Sequence, residues 1–583
     1  MEKTTSKQVN IRKDNLIQFV LALAIIVLIN VIGSYVFTRF DLTSEKRYSL
    51  SESTKKLLRE TDDIIYFKVY LEGDFPAGFK LLSRTTREML DEFRAYSDNI
   101  EYEFINPSAA ENVKTREAIY ERLVQQGLEP TDINVRKKQG QEQQRIFPGA
   151  IVSYKSREIP LNLMADQLGA QPEAIINNSI QALEYNISNA IRKLSTSVKP
   201  KIAFTYGHGE LTPIETADIR FALSDFYTVE RVKIAENINA LTERKDNGDG
   251  TFTTVNKYRA IVIAKPDSVF SEKDKFIIDQ FVMKGGRILW LADPVFATMD
   301  SLMTTDKTMG ITLDINLNDQ LFKYGVRLNS NLLLDINALP IPMVTGRTGN
   351  QPQFTFFPWN YFPVLTSTSR HPVVNNLNAV RTEFVSSLDT VGSPAIRKTI
   401  LLKTSQYTRI APTPVIISLD ILRKDPDPAD YTDAPQPVAV LNEGHFESLF
   451  KNRLTPEITE APEIGFTENV DNNRMIVISD GDIIKNQVRM NNGSLEPLPL
   501  GYDRHTGQTF GNRDFIMNCI NYLCDDTGLM SVRSRELRLR ALDVTKARAN
   551  LIGWQLINIA GPVLLIIGFG IVQSTLRRRR YSR

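Results

Sequence analysis

Cysteine and histidine are scarce in this chain of 583 residues, which contains two cysteines and four histidines. Cys519 and Cys524 lie five residues apart in a stretch with helical periodicity, so their side chains point in different directions and we expect no disulfide between them. We interpret both as small buried apolar residues. The chain has no CxxC motif, which excludes thioredoxin-type redox chemistry whatever the fold.

Motifs for nucleotide hydrolysis and for nucleophilic catalysis are also missing. The chain has no Walker A sequence, so we do not expect it to hydrolyse ATP by itself. It has no GxSxG elbow, neither cysteine follows a predicted strand, and only His208 of the four histidines stands at a predicted strand end. These absences predict a protein that is not an enzyme and that holds no metal or other cofactor.

Charge of one sign is not concentrated in the body of the chain. Its 70 basic and 68 acidic residues are evenly spread and give a net charge of +2. Nucleic-acid binding requires a concentrated basic face, so we exclude it. The 42% of hydrophobic and 24% of charged residues are typical of a globular protein, and the length exceeds what one hydrophobic core can organise. We therefore expect two or more domains.

Two long apolar runs are present, at residues 16–37 and 551–572. Each has 22 residues without a formal charge, and a helix of that length crosses a bilayer core of about 30 Å. We predict two transmembrane helices. No small-x-small cleavage site follows the first run, so it is expected to be an uncleaved anchor.

Basic residues near both chain ends predict the orientation in the membrane. The tails 1–15 and 573–583 are both basic, which places both termini in the cytoplasm. Two spans then put the large middle of the chain on the other side, the periplasm if the membrane is the inner membrane of a Gram-negative bacterium. The basic segment 531–550 is interpreted as a helix that lies on anionic lipid headgroups. A solvated stalk and a contact with the acidic surface of a partner protein are the alternatives.

Polar residues interrupt both predicted spans. Asn30 and Asn558 each lie seven residues from the outer end of their span, so both would be about 10 Å deep in an antiparallel pair. They either hydrogen-bond to each other or face a partner subunit. Gly561-Pro562 predicts a kink in the second span, which is tolerated where a neighbouring helix covers the freed carbonyl.

The first part of the chain between the anchors, residues 41–198, has the pattern of a thioredoxin-like domain. Strand-like runs alternate with helical runs at about 79–96, 112–126 and 172–194, in the order βαβαββα. The strand-like runs include INVRKK and the long stretch QRIFPGAIVSYKSREIPLNL.

Residues 199–530 have the pattern of a doubly wound α/β domain of the amidotransferase-like type. Short apolar strands alternate with helices predicted at 215–227 and 272–284, which indicates a parallel sheet covered on both faces. Thirteen of the 28 prolines fall within 340–437, which excludes long helices there and predicts an extended insertion at about 330–470. DNGDG at 246–250 resembles a calcium loop, but it lacks the glutamate at position twelve and is interpreted as a hairpin turn.

The carboxyl ends of these parallel strands carry the candidate binding residues. GHGE, KPDS, ADP and SDGD each follow an apolar strand, and ligands of doubly wound sheets bind at that edge. A role in forming turns, a role in ligand binding and a metal or catalytic role for His208, Glu210 and Asp293 are the three readings, in that order of preference. The candidate crevice residues are Gly207, His208, Gly209, Glu210, Asp293, Asp480 and Asp482.

The order of several motifs resembles one family across nearly the whole chain. The GHGE turn, GGRILWLADP, GNRDFIMNCINYL and the run RELRLRALDVTKARANLIGWQLINIAGP before the last span are similar to the GldG family, the gliding-motility-associated auxiliary subunits of ABC transporters. The resemblance implies a GldF-like permease partner, a GldA-like ATPase partner and a substrate-binding role for a large extracytoplasmic domain. It supplies no catalytic residues.

We therefore expect a non-enzymatic membrane subunit of an ABC transporter. Its outer domains would bind a substrate or transmit the motion that ATP hydrolysis drives. The alternative is a membrane-tethered enzyme or binding module that acts on cell-envelope glycan or peptide through His208, Glu210 and Asp293. A purely structural scaffold would differ from the first hypothesis only in its independence of ATP.

Overall fold

A computed structural model describes the protein as a mixed α/β chain with several sheets. The chain divides into a unit that ends at Arg535 and a second unit that runs from Glu536 to Arg583. The residues that the structure describes are 11–35, 49–110, 112–137, 140–164, 171–196, 198–248, 252–349, 351–367, 369–461, 464–491, 493–534 and 549–581.

The N-terminal domain has a four-stranded mixed sheet. The first elements of the chain are α1 (Ile11–Tyr35), α2 (Glu52–Arg59), β1 (Ile65–Val69), α3 (Ala77–Tyr96), β2 (Ile100–Phe104), α4 (Val113–Gln125), β3 (Thr131–Lys137), β4 (Gly140–Ile146), β5 (Gly149–Tyr154), β6 (Arg157–Asn162) and α5 (Pro172–Ser195). The strand order is β2-β1-β5-β6, with β1 and β2 parallel and the other pairs antiparallel. The predicted order βαβαββα is present only in part, because four strands and not two stand between α4 and α5. The strand predicted at INVRKK, however, pairs with β4 in a separate hairpin instead of joining the sheet.

Helix α5 joins this domain to the next one. Apolar residues recur on it at helical spacing and form one buried stripe, as expected for a helix that packs on a core. Its other side contacts the second domain: the Tyr185 hydroxyl lies 3.2 Å from Met530 Sδ, Arg192 Nη2 lies 3.2 Å from Asn521 Oδ1 and Lys193 Nζ lies 2.5 Å from Asp225 Oδ2. The two domains therefore share a helix, not only a linker.

The second domain contains most of the strands. Its helices are α6 (Ala217–Ser224), α7 (Glu272–Met283), α8 (Met299–Thr305), α9 (Asn318–Lys323), α10 (Pro456–Thr459) and α11 (Asn512–Cys524). Its strands are β7 (Lys201–Tyr206), β8 (Thr228–Lys233), β9 (Thr242–Asp246), β10 (Phe252–Asn256), β11 (Ala260–Ala264), β12 (Arg287–Leu291), β13 (Val295–Phe296), β14 (Lys307–Thr312), β15 (Val326–Leu328), β16 (Asn331–Asp335), β17 (Ala338–Thr348), β18 (Gln351–Leu365), β19 (Val380–Arg381), β20 (Leu388–Thr390), β21 (Ile396–Lys403), β22 (Thr408–Pro412), β23 (Val415–Ser418), β24 (Pro437–Glu447), β25 (Asn469–Ile478), β26 (Val488–Asn491) and β27 (Ser494–Pro497).

A seven-stranded sheet forms the centre of the second domain, in the order β21-β24-β25-β12-β11-β7-β8. The five strands from β25 to β8 run parallel, and β24 and β21 extend the sheet antiparallel. Every residue of AIVIA in β11 and of RILWL in β12 is buried. Strands that are buried on both faces read as continuous apolar runs, which is why the sequence predicts the parallel arrangement here.

Two hydrophobic cores lie on opposite faces of this sheet. Alternate residues of β7, β11 and β12 pack with α6 and α11 on one face and with α7 on the other. The prediction that helices cover both faces is confirmed. Cys519 is buried in the first core, Cys524 is partly buried, and both are free thiols.

The proline-rich segment is extended, as predicted. The described residues of 340–437 contain no α-helix, and the long hairpin of β17 and β18 accounts for much of them. The segment is not a simple insertion, however, because β21 and β24 from within the predicted range 330–470 pair into the main sheet. Strands β9 and β10 pair antiparallel on either side of the hairpin turn predicted at 246–250, of which residues 249–250 lie outside the described residues.

Helix α12 (Leu551–Tyr581) forms the described part of the second unit. By length and composition its segment Leu551–Leu576 can cross a membrane, whereas α1 contains a shorter apolar stretch, Phe19–Leu28. One candidate membrane helix thus stands among the described residues, and the second predicted span stays a prediction. Residues 36–37 of that span, most of the basic segment 531–550 and most of the tail 1–15 lie outside the described residues.

The polar residues of the predicted spans bond to their own helices. Asn30 Nδ2 donates to the carbonyl of Ile26 at 3.1 Å, and Asn558 Nδ2 donates to the carbonyl of Trp554 at 2.9 Å. Helix α12 continues through Gly561 and Pro562. The proposed pairing of the two asparagines and the kink stay predictions.

We expect Asp279 of α7 to be needed for the stability of the second domain. Its buried carboxylate accepts hydrogen bonds from the Ser448 hydroxyl at 2.6 Å, the Leu449 amide at 2.8 Å and the Tyr324 hydroxyl at 2.8 Å. Asp279→Ala leaves these donors unpaired and should lower the free energy of unfolding by about 3 kcal/mol or more, whereas Tyr324→Phe should cost about 1 kcal/mol. The midpoints of urea unfolding measure both, and equal costs would contradict the expectation.

Candidate functional site

The loops that follow the parallel strands of the second domain meet at one edge of the sheet, which we call the carboxyl edge. GHGE follows β7, KPDS follows β11, ADP follows β12 and SDGD follows β25. Because β8 and β11 lie on opposite sides of β7, the strand order reverses at β7, and ligands of such sheets bind beside that switch point. All four motifs stand at the carboxyl ends of parallel strands, and their role in binding stays a prediction.

His208 stands between two carboxylates at this edge. Its Nε2 lies 3.0 Å from Asp274 Oδ2, and its Nδ1 lies 3.8 Å from Glu210 Oε1. Its ring stacks on Phe270 with centroids 3.8 Å apart. Asp274 stands in the first turn of α7, which Ser271 caps, so the helix start brings this carboxylate to the strand end. All three charged side chains are buried.

The two carboxylates change the protonation of His208. Burial alone lowers the pKa of His208, but Glu210 and Asp274 outweigh it and raise the pKa above its ordinary value. Burial alone raises the pKa of Glu210, but His208, its own backbone amide and the Thr205 hydroxyl lower the pKa overall. His208, Glu210 and Asp274 thus form a buried group of one imidazole and two carboxylates.

Backbone hydrogen bonds fasten the GHGE turn to the KPDS turn. The carbonyl of His208 accepts from the amides of Asp267 at 3.0 Å and Ser268 at 3.1 Å. Gly209, with a φ of 74°, lies so close to Asp267 that a side chain there would overlap its carboxylate. The glycine of the motif is therefore required by a close approach of two loops.

Lys265 organises a second charged group at the same edge. Its ammonium lies 3.3 Å from Asp293 Oδ2 and forms a short ion pair with Asp482. The amide of Gly481 donates to Asp293 Oδ1 at 2.5 Å, and the amide of Asp482 donates to Asp480 Oδ1 at 2.7 Å. These contacts join the ends of β11, β12 and β25.

Burial shifts the pKa values in this second group. Burial alone lowers the pKa of Lys265, but Asp293 and Asp482 raise it overall, so the ammonium stays charged. Burial raises the pKa of Asp293 and of Asp480, and neighbouring carboxylates raise both further. Lys265 also has a φ of 54°, a conformation that costs energy in a residue with a side chain and that recurs at functional sites.

A cavity of about 230 Å³ lies between the two charged groups. Its polar wall includes Glu210, Glu215, Lys265, Asp293 and Lys485, and its apolar wall comes from β13 and the residues around it. The lysines are already paired with carboxylates, since Lys485 Nζ lies 3.3 Å from Glu215 Oε1. The cavity therefore offers little uncompensated charge to a ligand.

The structure brings the predicted residues to one edge of the sheet, but only some of them line the cavity. Gly209, Glu210 and Asp293 line the cavity, whereas Gly207, His208, Asp480 and Asp482 are not among its lining residues. Among the described residues, no group of three or more His, Cys, Asp and Glu side chains is arranged to hold a metal ion.

The sequence did not predict three residues of the site, Asp274, Lys265 and Lys485. Lys265 stands within the KPDS motif, but Asp274 opens a helix and carries no signal in the sequence.

The two ring nitrogens of His208 differ in their contacts. In the described part of the chain, its Nε2 pairs with Asp274 Oδ2 and its Nδ1 has no hydrogen-bond partner, so no hydroxyl or thiol of these residues is bonded to the ring. Lys265 is held in its charged form, because Asp293 and Asp482 raise its pKa. The contacts that the structure shows at this edge are ion pairs and hydrogen bonds.

Comparison with known proteins gives two family matches. Residues 199–519 match the family described as an ABC-type uncharacterized transport system, and residues 44–153 match a domain of unknown function. A Borreliella burgdorferi protein that is described as uncharacterized is 20% identical over 382 residues, which are 65% of this chain and 67% of that protein. The solved mmIFT52 N-terminal domain aligns over 56% of this chain and 98% of its own, with 12% identity and a TM-score of 0.30.

We expect the contribution of His208 to stability to depend on pH. Its pKa in the folded protein lies above the ordinary value of about 6.5, so its stabilisation is full below that pH and is lost as pH rises through the folded pKa. His208→Gln should therefore lower the urea midpoint more at about pH 6 than at about pH 9. His505→Gln, at an exposed site, is the control. A deficit for His208→Gln that is the same at both pH values would contradict the expectation.

We also expect Gly481→Ala to disturb the second charged group. A β-carbon at this position would lie 2.5 Å from Lys265 Cγ and 2.6 Å from Lys265 Cβ, so the lysine would have to move away from its carboxylates. The free energy of unfolding should fall by about 1–3 kcal/mol. Gly346→Ala is the matched control, because its nearest neighbour would be 3.4 Å away. Equal unfolding midpoints for the two variants would show that the packing at Gly481 is not restrictive.

Proposed function

The chain belongs to the family of ABC-type uncharacterized transport systems, and from this membership we propose that it is a non-enzymatic auxiliary subunit of an ABC transporter. The family match over 199–519, which includes the whole parallel sheet, carries the proposal. The sequence has no Walker A motif, so the ATP that drives such a system is hydrolysed by another polypeptide.

The proposed subunit is held in the membrane. The helix Leu551–Leu576 supports this by its length and apolar composition, and the apolar run at 16–37 supports a second anchor. With both basic tails in the cytoplasm, the two folded domains lie outside the inner membrane, in the periplasm.

We further propose that the partners are an ABC permease and an ABC ATPase, of the GldF and GldA types. The order of the GHGE, GGRILWLADP and GNRDFIMNCINYL motifs, which resembles the GldG family, supports this finer assignment and with it a role in gliding motility. The anchor helices would contact the permease, with Asn30 and Asn558 as polar contacts.

The carboxyl edge favours a coupling role over the capture of a bulky substrate. Its cavity of about 230 Å³ is smaller than the roughly 300–1,000 Å³ of typical small-molecule sites. Its lysines are neutralised by neighbouring carboxylates. The contacts at the carboxyl edge thus connect loops to one another and leave little of an open binding site.

The alternative, an enzyme or binding module that acts on cell-envelope material through His208, Glu210 and Asp293, finds less support. His208 pairs with Asp274 and not with a nucleophile, and Asp293 pairs with Lys265. An enzyme would require both of these ion pairs to open before it reached a substrate.

Copurification tests the auxiliary-subunit proposal. Full-length chain extracted from its native membranes in a mild detergent should carry an ABC permease and an ABC ATPase in constant proportion. The purified complex should hydrolyse ATP, and the chain alone should not. A chain truncated after Ser534, which lacks α12, is the control and should lose the permease. Recovery of the full-length chain by itself from membranes that contain both proteins would overturn the proposal.

A further inference from the structure

The N-terminal domain has its own cleft, of about 520 Å³, which we call the N-terminal cleft. Asp74 follows β1, and Asn106 and Ser108 follow β2, so the cleft lies at the carboxyl ends of the two parallel strands of this sheet. That is where open α/β sheets bind ligands. The volume falls within the range of small-molecule sites, about 300–1,000 Å³.

Three further elements complete the lining of the N-terminal cleft. Helix α4 contributes Arg116, Glu117 and Tyr120, and the β3–β4 hairpin contributes Asp132 and the run 143–145. The β3–β4 hairpin therefore forms one wall of the N-terminal cleft.

Hydrogen bonds fix part of the lining before any ligand binds. The Asn106 side-chain oxygen accepts from the amide of Ser108 at 2.9 Å. The Ser108 hydroxyl lies 2.9 Å from the hydroxyl of Tyr120, which joins the loop after β2 to α4. Groups that are already oriented lose little entropy when they bind a ligand.

The charges of the N-terminal cleft nearly cancel. Arg145 Nε lies 3.2 Å from Asp132 Oδ1 across the hairpin, and Asp74 Oδ1 lies 2.6 Å from the ammonium of Lys80. Arg116 and Glu117 add one charge of each sign. A lining without a dominant charge does not select polyanions or polycations.

The uncharged part of the lining is suited to hydrogen bonds with hydroxyl groups. The side-chain amides of Asn106, Gln143 and Gln144 each offer donors and an acceptor, as sugar hydroxyls do. None of the lining residues that the structure describes is aliphatic, which disfavours a peptide with apolar side chains. We propose that the N-terminal cleft binds a neutral saccharide, through the side-chain amides of the hairpin and the charged side chains of Arg116 and Glu117.

This proposal does not rest on the transporter role, so the two can fail separately. Full-length protein in lipid nanodiscs is titrated with maltotriose, cellotriose and chitotriose, which avoids competition from sugar-based detergents. Binding is measured by calorimetry and by saturation-transfer NMR. At least one trisaccharide should bind. Arg116→Met and Glu117→Gln should each weaken that binding about tenfold, because each removes a hydrogen bond to a charged group.

Matched controls are available on the same helix. Arg122→Met and Glu121→Gln make the same changes at exposed positions outside the lining, and they should leave binding unchanged. Thermal unfolding of all four variants checks that they fold. Failure of all three sugars to bind overturns the proposal, as does equal weakening by the lining and control variants. Binding of triglycine or citrate with the same dependence on Arg116 and Glu117 would replace the saccharide by another ligand class.

Discussion

Burial of the parallel strands on both faces is the constraint on which the second domain depends. The strands β11 and β12 are covered by α7 on one side and by α11 on the other, so they hold no exposed position for a polar side chain. Polar and charged residues of this layer are consequently placed at the strand ends. The loops at the carboxyl edge contain these polar and charged residues because the chain leaves the buried sheet at that edge.

The same constraint explains why the charges at that edge are paired with one another. His208 lies with Glu210 and Asp274, and Lys265 lies with Asp293 and Asp482. A buried charge without a partner is costly, so each group stabilises the folded state only while its partners stay in place. An edge of this kind binds its own loops together and changes its shape only when ion pairs break.

The sequence predicts the helices and strands that local patterns determine. It does not predict strand pairing between residues that are far apart in the chain. The strands at AIVIA and RILWL, the helices α3, α5 and α7 and the motifs at the strand ends follow from apolar periodicity and turn residues. The pairing of β21 and β24 with the main sheet depends on contacts between residues far apart in the chain, and no local pattern encodes it. The N-terminal cleft was missed for a similar reason, since its polar residues come from separate elements and each of them looks like an ordinary surface residue.

Helix α5 limits how motion can pass through the protein. Its buried stripe belongs to the N-terminal domain, yet Tyr185, Arg192 and Lys193 bond to the second domain over two successive turns. A hinge between the domains would have to break these contacts together. We therefore expect the two domains to move together in the proposed transporter role, and a ligand in the N-terminal cleft would move with both of them. The proposed saccharide site is thus separate from the carboxyl edge, where ion pairs join the loops.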